Sequence, residues 1–134
     1  MKLLVIGGTK FLGRHVVEAA LAAGHRVTLF NRGQTNPHLY SGVEKLVGDR
    51  TLDLSPLQGR TWDAVVDTSG YVPRVVAASA KLLAGSVGHY TFISSLSVYS
   101  DFSAPIDEAA PVATLDDATT EEVTGATYGG LKAL

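Results

Sequence analysis

Tyr128 and Lys132 stand four residues apart, in a Tyr-x-x-x-Lys pair, two residues before the last position of a 134-residue sequence. On a helix, residues at that spacing share one face. An ammonium held beside a phenol favours the phenolate, so the tyrosine becomes usable as an acid or base near neutral pH. A phenol at its ordinary pKa of about 10 would be a poor base there. The pair is short and common, so its weight rests on what precedes it. A second constellation is Gly7-Gly8-Thr9-Lys10-Phe11-Leu12-Gly13. Backbone N–H groups at a helix start can meet a pyrophosphate. Gly7 would make the turn, Gly13 would allow close helix–sheet packing, and Thr9, Lys10, Phe11 and Leu12 would complete the cradle. The plain alternative is a tight strand-to-helix turn without a ligand.

These residues need elements to position them. Leu3 to Ile6 is a continuous apolar run bounded by glycine, the mark of a strand buried on both faces. The glycine loop follows it and opens a helix with Leu12, Val16, Val17, Ala20 and Leu21 on one face, stopped by Gly24. This strand–loop–helix order is the context that a dinucleotide fingerprint requires. Arg26 to Phe30, Glu44 to Val47, Trp62 to Asp67 and His89 to Ile93 read as four further strands. A helix from Pro73 to about Ala84 puts Val75, Val76, Ser79, Leu82 and Leu83 inward, with Pro73 in its first turn. Residues 101 to about 119 form a polar loop. Its carboxylates, with those just beyond it, read as a solvated acidic segment. Thr119-x-x-Glu122 suggests a capping box for a last helix, which Gly125, Gly129 and Gly130 would weaken by about 1 kcal/mol each. The β-turn-α-β order predicts one α/β domain over 1–134: a Rossmann-like, doubly wound parallel sheet with right-handed crossovers.

Composition removes several classes. With 46% hydrophobic and 18% charged residues, the chain reads as an ordinary globular protein. The net charge of −2 and the lack of a basic run argue against a dedicated nucleic-acid binder. There is no cysteine, hence no disulfide or thiol chemistry, which suits a cytoplasmic protein. No apolar stretch approaches the roughly 20 residues that span a bilayer. The four histidines are scattered without metal-ligand spacing, so no metal site is expected.

With the loop, the strand order and the Tyr-Lys pair in place, the sequence resembles the extended short-chain dehydrogenase/reductases, the NAD-dependent epimerase/dehydratase family. Gly7 and Gly13 match the outer positions of its G-x-x-G-x-x-G loop, and Lys10 replaces the middle glycine. A side chain there obstructs close approach of backbone to phosphate, yet brings an ammonium to it. The Gly-Gly-Thr-Lys-Phe-Leu-Gly variant is similar to a subgroup that includes chloroplast stem-loop RNA-binding proteins and bacterial relatives. By the register of the family's S-S-x-x-V-Y-G segment, Ser94-Ser95-Leu96-Ser97-Val98-Tyr99-Ser100 puts Ser95 at the catalytic serine position, 33 residues before Tyr128. Alone, these serines would read as caps on a strand end. Asn31-Arg32 follows the second strand, where Arg32 tilts the cofactor toward NADP over NAD. Asp49-Arg50 falls where the family has an acid beside the adenine, and Thr68-Ser69-Gly70 where small residues flank the nicotinamide half.

The resemblance implies strand order 3-2-1-4-5 and hydride transfer with a Ser95, Tyr128 and Lys132 site. Tyr128 would exchange a proton with the substrate, and Ser95 would hold its oxygen. Lys132 would tune the tyrosine and bind the nicotinamide ribose. The substrate is expected to be a small molecule, with a nucleotide sugar as the family's suggestion. The alternatives are a non-catalytic nucleotide-binding module, a truncated remnant, or an RNA-binding relative. Because the sequence stops just past Lys132, a sixth strand and a C-terminal substrate region are expected to be missing, with little turnover by this chain alone. The edge beside the fifth strand then invites a partner chain, such as a homodimer.

Overall fold

A computed structural model describes residues 1–134. The chain divides into two compact units. Unit 1 comprises 1–69 and 77–93, and unit 2 comprises 70–76 and 94–134.

Unit 1 carries a five-stranded parallel sheet in the order β3-β2-β1-β4-β5. Its strands are β1 (Lys2–Ile6), β2 (Arg26–Asn31), β3 (Glu44–Val47), β4 (Trp62–Asp67) and β5 (Val87–Phe92). The expected order is therefore the observed one. Chain order reverses beside β1, where β2 lies on one side and β4 on the other, and that switch point is where doubly wound sheets take ligands. β1 is buried because both sheet faces are covered. Leu4 and Ile6 join Phe30, Leu57, Trp62, Val65 and Leu83 on one side. Leu3 and Val5 join Val17, Ala20, Val27 and Leu29 on the other. This alternation across a period-two strand explains the uninterrupted apolar run of β1. Trp62, the only tryptophan, is 6% exposed. Its indole N–H donates to Thr28 Oγ1 at 3.2 Å, and Thr28 donates to Glu44, which Arg60 pairs at 2.8 Å.

Helix α1 (Phe11–Ala22) buries Gly13, Val17 and Ala20. Leu12 and Leu21, expected inward, are 40% and 37% exposed. Leu12 lies five positions before Val17, about 140° around the helix and off its buried face. Leu21 sits at that face's margin in the last turn. Helix α2 (Pro73–Leu83) begins at its proline as expected.

Unit 2 is mostly irregular. It holds a 3-10 turn at Leu96–Val98, helix α3 (Tyr128–Ala133), and a small core of Val72, Val75 and Leu131 with Leu115 packed against it. Tyr99 and Val112 form an antiparallel bridge that folds the polar loop back on itself. The expected capping box is absent. The Thr119 hydroxyl donates to Asp117, and the last helix starts at Tyr128 with Thr127 before it. Residues 121–126 are exposed, so no buried apolar stripe could carry a helix through them.

Gly129 and Gly130 have a reason beyond helix propensity. A Cβ on Gly129 would run into the carbonyl oxygen of Ser97, and one on Gly130 would come within 2.6 Å of Leu115. Glycine lets α3 lie directly on the Leu96–Val98 turn.

Candidate functional site

In unit 1 the glycine loop runs from the carboxyl end of β1 into α1. Gly7 has φ +101°, a conformation that glycine adopts freely. A Cβ on Gly13 would lie 2.9 Å from Gly8 Cα, so the helix touches the loop backbone. Lys10, in place of the middle glycine, has φ −129° and ψ 149°, extended backbone open to any residue. The unusual conformation falls on Phe11 instead, at φ +34°, with its ring 87% exposed. A left-handed phenylalanine costs of the order of 1 kcal/mol, and such strain concentrates at ligand-binding turns. No side chain caps the start of α1 and its first turn holds no acid. Its N–H groups and partial positive charge therefore meet no competing acid or capping oxygen, so a pyrophosphate fits this loop.

The loop is braced by its neighbours. Asn31 Nδ2 donates to Gly7 O at 2.8 Å, and Asn31 Oδ1 accepts from Gly33 N at 2.9 Å. Asn36 Nδ2 donates to Thr9 O at 2.9 Å. Thr68 Oγ1 donates to Ile6 O at 2.9 Å, and a Cβ on Gly7 would sit 2.5 Å from that hydroxyl. Asn31 is thus committed to the backbone, while Arg32 is exposed beyond it. Asp49 accepts from Thr51 N and Oγ1, which, followed by the Arg32 charge, hold its carboxyl below the usual range.

Arg50 is engaged inward. Its guanidinium grips Asp67 through two bonds of 2.6 and 2.8 Å and donates to Ser79 Oγ at 2.9 Å. Asp67 is fully buried and also accepts from Tyr90 Oη at 2.8 Å and Ser69 N at 3.1 Å. Burial, then the Asp67 charge, push the Tyr90 phenol far upward, so it stays a donor. Asp67, Ser79 and Tyr90 escaped the sequence reading as polar partners. The one available signal was Asp67 itself, an acid ending β4 directly after the apolar run 64–66.

In unit 2, Ser95 immediately precedes the 3-10 turn, and its hydroxyl accepts from Ser97 N at 3.1 Å. Tyr128 opens α3, and Gly129 seats that helix on Ser97. The elements carrying Ser95 and Tyr128 therefore touch. Lys132 Nζ donates to Gly70 O at 2.9 Å and lies 6.0 Å from the centre of the Tyr71 ring. The Tyr71 and Tyr128 rings are 6.4 Å apart and tilted by 47°. An open cavity of about 420 Å³ lies beside Tyr128, lined by Ser97, Ala113, Val123 and the Thr124–Ala126 segment. Of the acidic residues expected to be solvated, Glu121 is exposed and pairs with Arg74 at the surface through bonds of 2.6 and 2.7 Å.

A family model described as the NAD-dependent epimerase/dehydratase family matches residues 3–80, more than half of the chain. The chain belongs to the NAD-dependent epimerase/dehydratase family. The matched stretch carries the glycine loop, Asn31-Arg32, Asp49-Arg50 and Thr68-Ser69-Gly70, and ends before Ser95, Tyr128 and Lys132. The photosystem II assembly factor Ycf39 of Trieres chinensis is 34% identical to this chain, over 81% of it and 39% of its own length. The fold of this epimerase/dehydratase chain is shared with solved structures. The Bordetella bronchiseptica enzyme WbmG, in complex with NAD, superposes with a TM-score of 0.78 at 18% identity, over 99% of this chain and 47% of that one. MoeE5, in complex with UDP-glucose and NAD, gives 0.74 at 18% identity, over 98% and 46%. The chain thus spans less than half the length of each. No helix is long and apolar enough to cross a membrane.

Proposed function

We propose that this protein binds NAD(P) on the Gly7–Gly13 loop and takes part in hydride-transfer chemistry of the epimerase, dehydratase or reductase type. The observation that carries the reading is the braced glycine loop, which presents an uncapped helix start at the switch point of the sheet. Thr9 to Leu12 line the loop, with the Lys10 ammonium available to the phosphates. Arg32 stands beyond β2, exposed and beside the Asp49 charge, and tilts the choice toward NADP. Asp49 and Thr68, Ser69 and Gly70 flank the nucleotide in this reading.

When bound, the cofactor supplies reversible hydride acceptance. Tyr128 exchanges a proton with a substrate hydroxyl or carbonyl, Ser95 holds that oxygen, and Lys132 favours the phenolate. A nucleotide sugar is the proposed substrate class, supported by the UDP-glucose named for MoeE5. The cysteine-free composition and the lack of a spanning helix fit a cytoplasmic setting.

A second reading has its own support. Lys132 is bonded to Gly70 O, and the Ser95 hydroxyl to a backbone N–H, so both candidates also hold local structure. The curated relative, moreover, is named as an assembly factor. A nucleotide-binding module without turnover would keep the loop and need no reacting tyrosine.

Calorimetry with NAD and with NADP is the first test. We expect binding of at least one, and selective loss of NADP affinity in Arg32→Ala. Failure of both to bind at millimolar concentration removes the dinucleotide reading. Turnover of a UDP-sugar, abolished in Tyr128→Phe, removes the module.

A further inference from the structure

Arg50 falls in the segment where an arginine could reach an adenosine phosphate, yet its guanidinium is turned into unit 1. The pair it makes with Asp67 is almost dry: their side chains are 9% and 0% exposed. Two parallel N–H donors on one carboxylate give a fixed fork geometry, stronger than a single bond. A pair this deep costs desolvation, and replacing it by apolar residues is often neutral for stability. Holding the fold together is therefore a weak reason to keep it.

What the pair touches gives a stronger reason. Arg50 lies on the β3–β4 loop, next to Asp49. Asp67 ends β4 and accepts the backbone N–H of Ser69 at 3.1 Å. Arg50 Nη1 also reaches Ser69 Oγ at 3.4 Å. Ser79 on α2 and Tyr90 on β5 fix the two ends of the fork from the far side. Thr68, between Asp67 and Ser69, donates to Ile6 O and abuts Gly7 and Gly13. Contacts thus run from Arg50 through the end of β4 into the glycine loop.

We infer that Arg50 and Asp67 are positioning residues for the dinucleotide. They hold the Thr68–Ser69 segment and the Asp49 turn at the carboxyl edge of the sheet, and Arg50 makes no direct bond to the cofactor's phosphates. This inference rests on the dinucleotide reading proposed above. It assigns Arg50 a role acting through Asp67, and leaves Arg32 and Lys10 as the cations that meet phosphate.

The affinity ratio of NADP to NAD separates a positioning residue from a ligand. A 2′-phosphate ligand, when removed, weakens NADP and spares NAD. A positioning residue weakens both by one factor. On the purified protein, we expect Arg50→Met to weaken NAD and NADP alike, by about tenfold, the order seen when supporting residues around a site are lost. Tyr90→Phe deletes one bond to Asp67 and keeps the ring. It should weaken both cofactors severalfold at an unchanged ratio, and it serves if Arg50→Met fails to fold. Arg32→Ala is the control in which the ratio must move.

A changed ratio in Arg50→Met would make Arg50 a ligand and overturn the inference. Lower melting temperatures with unchanged affinities in both variants would make the cluster purely structural and overturn it too. Failure of the unaltered protein to bind either cofactor would instead remove the reading underneath.

Discussion

One hydroxyl separates Tyr128 from phenylalanine, and the proposed chemistry runs through it. Tyr128→Phe keeps the ring that meets Tyr71 and removes the proton that would be exchanged. General acid–base groups contribute about 10² to 10⁴ in rate. We expect at least a hundredfold fall in kcat with cofactor affinity held, measured by nicotinamide absorbance. Equal turnover by the variant would remove Tyr128 from the chemistry. A second residue-scale outcome concerns Tyr90. Its phenol ionises with difficulty in the folded protein, well above its ordinary 10.0, because it is buried and faces Asp67. The unfolded phenol ionises near 10, so the stabilisation is complete below pH 10 and fades as pH rises above it. Tyr90→Phe should therefore flatten the alkaline decline in melting temperature, and an identical decline would contradict the coupling. Arg50 shows why such clusters were hidden from the sequence. Its partners lie 17, 29 and, through Asp67, 40 positions away, and no local pattern links them.

At the scale of elements, β1 was legible because a parallel strand buried on both faces leaves a short apolar run between turn residues, a signal needing no partner, whereas β3 and β5 hold no fully buried residue and were marked mainly by the turn residues around them. The last helix departs from expectation for the opposite reason. Thr119-x-x-Glu122 has the letters of a capping box, but a box stabilises a helix only if an apolar stripe follows, and residues 121–126 are exposed. By propensity alone, Gly125, Gly129 and Gly130 only weaken a helix. For Gly129 the larger effect is contact, since α3 rests on the Ser97 carbonyl. Gly129→Ala gains about 1 kcal/mol of propensity against overpacking of about 1–3 kcal/mol, on a backbone oxygen that cannot swing aside. We expect net destabilisation in denaturant titrations and lost turnover without loss of NAD(P) binding. A stabilised Gly129→Ala would show that α3 can lift off the turn at no cost.

Over the whole molecule, the net charge of −2 is a difference between unlike halves. Unit 1 carries nine Lys and Arg against six Asp and Glu, a net +3, and unit 2 two against seven, a net −5. A single overall charge thus understates how favourably unit 1 alone is charged for an anionic cofactor. The family match covers most of unit 1 and stops short of the Ser95 turn and α3. Of the candidate site, only the strand-bounded glycine loop stands out as a local motif, whereas the Arg32, Asp49, Thr68–Gly70 and Ser95 assignments came through resemblance.

Trp62 turns this division into an optical tool. All tryptophan emission comes from unit 1, out of a dry site whose indole N–H is held by Thr28. The unit 2 rings are Tyr71, Tyr99, Phe102 and Tyr128. Excitation at the red edge of the absorption band therefore follows unit 1 alone. We expect a blue-shifted emission that moves to the red when the sheet opens, and that stays in place when Gly129→Ala disturbs α3. A red shift in that variant under native conditions would mean that the damage had reached the sheet.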